Sequence, residues 1–228
     1  MPTPQNSATA IAFVGVTVGY EKGKPVLTNA DLSLAGPGLF HLQGPNGSGK
    51  STFVELASGY LRPSKGVVEV FGSQANSPVA RDHRRVCRAE PALFPSMTVH
   101  DHIVLACIAR DADKSVALAR AERLGVGPWL NENAGNLSTG NRRKLWYVMS
   151  TVGAFDLAIL DEPFNGLDED GLREVSDEIL SWSDKAAVVL IAHSLPGVLA
   201  RAAPVFMTDL NTSVSVQRSG SHSGTDRA

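Results

Sequence analysis

The chain has 228 residues, 43% of them hydrophobic and 19% charged, and its 21 Lys and Arg against 23 Asp and Glu leave a formal net charge of −2. That profile suits one or two globular domains and excludes a disordered, coiled-coil or collagen-like chain. The near-neutral charge makes no electrostatic case for nucleic acid, so no nucleic-acid partner is expected.

Residues 1–10 are polar, hold two prolines and are expected to fray. Their M-P-T-P-Q-N-S start lacks the basic and apolar regions of a secretory signal. Ile11 to Tyr20 alternates and is rich in valine, which predicts a strand. Glu21 to Pro25 reads as a turn, and Val26 to Leu34 as a second strand leading to Gly36-Pro37-Gly38. Leu39 to Leu42 is a short apolar strand feeding a glycine-rich loop, and 52–60 reads as a helix stopped by Gly59 and Pro63. Val67 to Phe71 is a strand ending at Gly72. Thr98 to Leu124 has a helical, alanine-rich pattern broken by Gly125 and Gly127-Pro128.

Further on, the pattern predicts a helix over 138–153, a buried strand from Phe155 to Leu160 and a helix over 170–182. A second buried strand from Ala187 to Ala192, a short helix over 196–202 and an apolar segment from Val205 to Leu210 follow. The longest apolar runs, Ile103 to Ala109 and Ala186 to Ala192, stop at seven residues. A bilayer span needs about 20, so this chain is not expected to cross a membrane by itself. Residues 211–228 carry seven Ser or Thr and two Gly and read as a flexible tail. Strands alternating with helices, some near-continuously apolar, argue for an α/β core with a largely parallel sheet. Two cysteines, Cys87 and Cys107, make neither a metal cluster nor a disulfide framework, which fits a reducing setting.

Gly44-Pro45-Asn46-Gly47-Ser48-Gly49-Lys50-Ser51 fits G-x-x-x-x-G-K-[ST] and is followed by Thr52, with a strand before it and a helix after it. Glycines let successive N–H groups curl around phosphate oxygens, and the helix start adds partial positive charge at the same point. Lys50 can reach the β- and γ-phosphates, and the Ser51 hydroxyl can ligate Mg²⁺. The loop therefore predicts nucleoside triphosphate binding. The absence of an N-K-x-D motif counts against a GTPase. The apolar strand ending at Leu160 runs straight into Asp161-Glu162. A carboxylate delivered to the end of a sheet strand can hold the Mg²⁺ shell, and the next one can orient or deprotonate a water.

At this point the chain resembles the nucleotide-binding subunit of an ATP-binding cassette (ABC) transporter. Leu137-Ser138-Thr139-Gly140-Asn141 resembles the family's L-S-G-G-Q signature, and Asp161-Glu162 its Walker B segment. Asn165-Gly166-Leu167-Asp168 resembles the D-loop, and His193 the switch histidine, while Tyr20 lies where an aromatic residue stacks on adenine. The resemblance implies an α/β P-loop NTPase of ABC type, with a mixed sheet core and a small inserted helical subdomain at about 90–145 within a single domain over 11–210. It further implies ATP and Mg²⁺ as cofactors. Lys50, Glu162 and His193 would be the catalytic residues, Ser51 and Asp161 the metal ligands, and Asp168 the D-loop aspartate. Residues 137–141 would meet the ATP of a partner subunit across a head-to-tail dimer.

The partners implied are a second ATPase subunit, in a homodimer or heterodimer, and a separately encoded transmembrane subunit. That places the protein in the cytoplasm, peripheral on the membrane face. The compact form resembles the ATPase subunits of small exporters. Alternatives are a soluble, non-transport ABC ATPase and a weakly hydrolysing nucleotide-binding partner.

The second alternative arises from departures. Aligning Glu90-Pro91-Ala92-Leu93-Phe94 with the family puts Ala89 where a metal-touching glutamine is usual, and Thr139 and Asn141 alter the signature. Arg142, Arg143 and Lys144 sit in the first turns of the signature helix, where cations oppose the helix dipole. Either a nearby polyanion offsets that cost or they form a solvated basic face. His100 and His102, flanking Asp101, read as helix-surface residues rather than metal ligands. Trp129, Trp146 and Trp182 read as packing anchors.

Overall fold

The computed structural model describes residues 9–21, 23–211 and 214–216, and the expectations for 1–8 and for the remainder of the tail lie outside the described residues. β1 (Thr9–Val18) and β2 (Leu27–Ala35) alternate buried and exposed side chains and pair antiparallel, Thr9 opposite Ala35 and Val18 opposite Leu27. β3 (Gly38–Gln43) ends in the glycine-rich loop that opens α1 (Lys50–Ala57). β4 (Lys65–Val70) pairs antiparallel with β1, and the two-residue β5 (Ser73–Gln74) folds back on it. α2 (Pro78–His83) is capped by Ser77, whose Oγ accepts from the Ala80 N–H, and leads into β6 (Arg84–Cys87).

Three helices follow: α3 (Val99–Ile108), α4 (Lys114–Arg123) and α5 (Thr139–Ser150). Then come β7 (Leu157–Asp161), α6 (Glu169–Ser183), β8 (Ala187–Ile191), β9 (Ala203–Phe206) and β10 (Val214–Val216).

The strands form two sheets. One has the order β10-β2-β1-β4-β5 and is antiparallel except for β10, which runs parallel to β2; the other, β6-β7-β8-β3-β9, is wholly parallel. Period-two alternation splits the parallel sheet between two cores. Leu157, Ile159, Ala187, Val189 and Ile191 pack with Phe13 and Phe53 toward the first sheet and α1. Ala158, Leu160, Val188 and Leu190 pack with Ile103, Leu145, Val175 and Ile179 of the helices. Burial on both faces is why β7 and β8 read as unbroken apolar runs.

Several boundaries differ from the sequence reading. The helical stretch from Thr98 to Leu124 is two helices, because Asp111 takes a left-handed φ of 48° and Asp113 caps α4 by accepting from the Ser115 N–H at 2.7 Å. Fraying to residue 10 is corrected: Thr9 opens β1 and Ala10 is fully buried. The flexible tail is corrected at Val214–Val216, which pair through the main chain with Leu32, Ser33 and Leu34. The short helix at 196–202 is only a 3₁₀ turn, Gly197–Leu199, and Val205 to Leu210 divides between β9 and a second 3₁₀ turn, Met207–Asn211. Among the described residues no helix is long and apolar enough to cross a membrane.

Candidate active site

β3 delivers the chain to Gly44, and α1 starts at Lys50 behind Gly49, whose φ of 99° is a conformation that side-chain-bearing residues rarely adopt. The turn leaves the first N–H groups of α1 without intrahelical acceptors, so partial positive charge gathers at the loop. The Lys50 ammonium lies across this loop, donating to the carbonyls of Gly44 at 2.6 Å and Pro45 at 3.1 Å. Ser48 Oγ is buried without a hydrogen-bond partner among the described residues.

β7 runs parallel to β8, which runs parallel to β3, so Asp161 emerges at the same sheet edge as the loop. Glu162 follows with a left-handed φ of 51°, its N–H donating to the Ile191 carbonyl at 2.7 Å. His193, just beyond β8, places Nε2 3.7 Å from Glu162 Oε1. Burial, then the neighbouring Glu162 charge, pushes the Asp161 carboxyl above the usual carboxylate range, against the Ala89 N–H, Arg88 and Lys50, which favour its charge.

A cleft of ≈ 460 Å³ opens between these elements. Of the residues singled out in the sequence, Tyr20, Asn46, Gly47, Gly49, Lys50, Ser51, Thr52, Asp161, Glu162 and His193 line it, together with Ala89. Gly44, Pro45 and Ser48 form the same loop but are not on its wall. Val26 and Ile191 also line the cleft, and nothing in their sequence context separated them from ordinary strand core. Tyr20 stands at the edge with its ring exposed. Its hydroxyl donates to Glu55 Oε2 at 2.5 Å and lies 3.2 Å from Thr52 Oγ1.

The residues 137–141 lie elsewhere. Ser138 caps α5, its Oγ accepting from the Asn141 N–H at 3.2 Å, and Leu137 is buried. A Cβ on Gly140 would come within 2.9 Å of the Gly166 carbonyl, so only glycine lets the start of α5 approach the 165–168 loop this closely. None of residues 137–141 lines the cleft of its own chain.

Lys144 corrects the solvated-face reading. It is buried, and its Nζ pairs with Asp168 Oδ1 at 2.8 Å. Asp168 in turn caps α6 by accepting from the Gly171 N–H at 2.9 Å, and the Lys144 and Gly171 bonds hold its carboxyl below the usual range. Arg142 stays exposed.

His102 is likewise corrected. It is fully buried, Nδ1 bonding the Thr98 carbonyl at 2.8 Å while Nε2 accepts from the Phe94 N–H at 3.0 Å, which makes it a neutral pin for the start of α3. Trp129 is 43% exposed and anchors little. Trp146 donates to the Arg88 carbonyl at 2.8 Å, and Trp182 packs on Tyr147 and Phe155.

The Asp161 environment leads to a prediction. A carboxyl whose folded pKa is raised contributes most favourably at low pH, and that contribution is lost as pH rises through the folded value. At neutral pH the charge is a cost, so Asp161→Asn should raise the melting temperature of the nucleotide-free chain by about 2–4 °C. The gap should narrow toward about pH 4. A lower melting temperature at neutral pH would contradict the assigned environment.

Residues 27–165 match a family model described as ABC transporter. An ABC transporter ATP-binding protein of Pyrococcus furiosus is 30% identical over 208 residues, which cover 86% of this chain and 79% of that protein. ABC transporter A family member 4 of Dictyostelium discoideum is 32% identical over 160 residues, 67% of this chain but only 10% of the length of that much longer protein. A solved ATP-binding subunit of an ABC transporter superposes with a TM-score of 0.74 at 23% identity, over 81% of this chain and 80% of that one, a likeness of fold.

Proposed function

The chain belongs to the ABC transporter family, and from that premise we propose that it hydrolyses ATP in the cleft between the 44–52 loop and the end of β7 to power a separately encoded transmembrane partner, as an exporter. The family's ATP-binding domains are ATP hydrolases that pair with transmembrane components and dimerise. The observation that carries the reading is convergence: residues from the segment between β1 and β2, from the glycine-rich loop and α1, and from the ends of β7 and β8, remote in sequence, meet on one cleft of ≈ 460 Å³.

In this reading the Gly44–Thr52 loop wraps the phosphates and Lys50 swings from the Gly44 and Pro45 carbonyls to the β- and γ-phosphates. Ser51 and Asp161 would hold Mg²⁺. The fit is chemical: a half-buried Asp161 beside a second carboxylate is a site where bound positive charge is favoured. Bound there, the ion would supply neutralisation of phosphate charge.

Glu162, which lines the cleft, orients the attacking water and takes its proton. His193 hydrogen-bonds the γ-phosphate from its place 3.7 Å from Glu162. Tyr20 stacks on the adenine. Residues 137–141 act on the nucleotide of a partner subunit, in a homodimer or heterodimer, a role supported by their position off their own cleft. Lys144 fixes Asp168, and so joins the signature helix to the D-loop. The protein would sit at the cytoplasmic membrane face.

A second reading, slow hydrolysis beside a more active partner subunit, is favoured by Ala89, whose methyl group on the cleft wall cannot coordinate a metal. The test is purification from detergent-solubilised membranes with an ATPase assay. Mg²⁺-dependent hydrolysis in a complex with a membrane protein is expected. Recovery only from the soluble fraction, with nucleic acid or ribosomes, would overturn the transport reading.

A further inference from the structure

β3 carries a polar interruption, His41, in the apolar run Leu39-Phe40-His41-Leu42 that leads to the phosphate loop. Its half-buried ring does not line the nucleotide cleft. Two other groups lie within hydrogen-bond distance of it. Nε2 is 3.0 Å from the Ala192 carbonyl, and Nδ1 is 2.9 Å from the Gln43 amide nitrogen. A carbonyl only accepts, so Nε2 carries the proton and donates to Ala192, which leaves Nδ1 to accept from Gln43. One tautomer thus satisfies both partners, and Gln43, next to Gly44, selects it.

The bond to Ala192 falls where the sheet no longer holds the chain. Pairing of β8 with β3 ends at Leu190 opposite His41, and pairing with β7 ends at Ile191 opposite Asp161. Past those ladders the Ile191 carbonyl accepts from the Glu162 N–H at 2.7 Å, and the Ala192 carbonyl accepts from His41. His193 comes next, its side chain 76% exposed. Its Nε2 is 3.7 Å from Glu162 Oε1, too far for a hydrogen bond. The place of its ring is therefore set by its backbone. Two successive carbonyls fix that backbone, one from the β7 side and one from the β3 side.

Resting on the γ-phosphate role given above for His193, we propose that His41 is a positioning residue for it, anchoring the Ala192 carbonyl so that the His193 ring faces the γ-phosphate. Without the His41 donor the Ala192 carbonyl turns to water, and the segment from Ala192 to Ser194 samples several backbone conformations. The imidazole reaches the γ-phosphate in only a fraction of them, and turnover falls by that fraction. ADP has no γ-phosphate, so its binding does not depend on where His193 points. His41 and Gln43 lie on the strand that delivers Gly44. The strand that presents the phosphate loop therefore also sets the histidine on the opposite wall, which keeps the two in one register.

The test uses the full chain with His41→Gln, His41→Asn and His41→Leu. The side-chain nitrogen of glutamine falls where Nε2 lies, that of asparagine reaches only to the Nδ1 position, and leucine has no donor. In the nucleotide-free chain, amide hydrogen exchange over residues 192–194 should be about 3- to 10-fold faster in the Asn and Leu variants. It should keep the wild-type rate in the Gln variant. Single-turnover hydrolysis of ATP with Mg²⁺ should fall by about tenfold or more for Asn and Leu and stay within about twofold for Gln. ADP affinity should stay within about twofold of wild type in all three.

Exchange at the wild-type rate in the Asn and Leu variants would overturn the anchor. Faster exchange with hydrolysis unchanged, or a Gln variant as slow as the Leu variant, would overturn the part His41 plays in aiming His193. A matching loss of ADP affinity would place the effect in the phosphate loop and overturn it as well. A wild-type chain that hydrolyses no ATP would instead remove the ATP-hydrolysis reading, while the exchange rates would still decide whether His41 holds Ala192.

Discussion

Replacing Glu162 by glutamine is expected to slow ATP hydrolysis by about 100- to 10,000-fold while leaving ATP binding in place. The substitution keeps the shape of the side chain and the bond from the residue 162 N–H to the Ile191 carbonyl. It leaves the left-handed turn at φ 51° under the same constraint. What disappears is the carboxylate proposed to accept the proton of the attacking water. A second consequence follows at Asp161. The Glu162 charge is one of the influences that raise the Asp161 carboxyl, so its removal lets Asp161 ionise more readily and hold a cation more firmly. Binding should then be unimpaired or tighter while turnover falls. An ATP-bound dimer should accumulate and be visible by size-exclusion chromatography. Hydrolysis within about twofold of wild type would remove Glu162 from the proposed role.

The nucleotide cleft was legible because its chemistry is local. A loop needing several glycines and a lysine, and a strand needing a terminal carboxylate, are each written in a few adjacent residues. β6 was not legible. Its R-R-V-C places two arginines on a buried strand, contrary to the rule that such charges stay outside. The structure accommodates Arg85 by turning its guanidinium onto the carbonyls of Val152, Ala154, Asp82 and Arg84 at 2.7–3.1 Å, partners scattered along the chain. Lys144 misled for the same reason. Beside Arg142 and Arg143 it reads as surface, yet its partner Asp168 lies 24 residues further on. β10 could not be read from composition because it is attached to β2 by main-chain bonds, which any side chains permit. The missing signals were thus pairings across the chain rather than patterns along it.

Arg120→Ala should destabilise the fold by about 3–5 kcal/mol, roughly a 6–20 °C fall in melting temperature. Arg120 is 8% exposed and binds Glu178 through two bonds of 2.9 and 2.8 Å, and Thr151 through its carbonyl at 3.1 Å and its hydroxyl at 2.8 Å. Its guanidinium also lies 5.7 Å from the Tyr147 ring and 5.4 Å from that of Trp182. Burial works against the charge, but the bonds and charge of Glu178 outweigh it and hold the guanidinium above its ordinary value. The side chain therefore ties α4 to α5 and α6 at one point. Removing it leaves Glu178 largely buried, its remaining ion-pair partner among the described residues being the half-exposed Arg123 at 3.1 Å.

The cost comes from that stranded carboxylate as much as from lost attraction, which a second variant separates. Arg120→Met combined with Glu178→Leu removes both charges and keeps the volume, so denaturant unfolding should show most of the loss recovered. A single-variant cost below about 1 kcal/mol would mean that water reaches Glu178 and that the three helices are joined by their apolar packing alone.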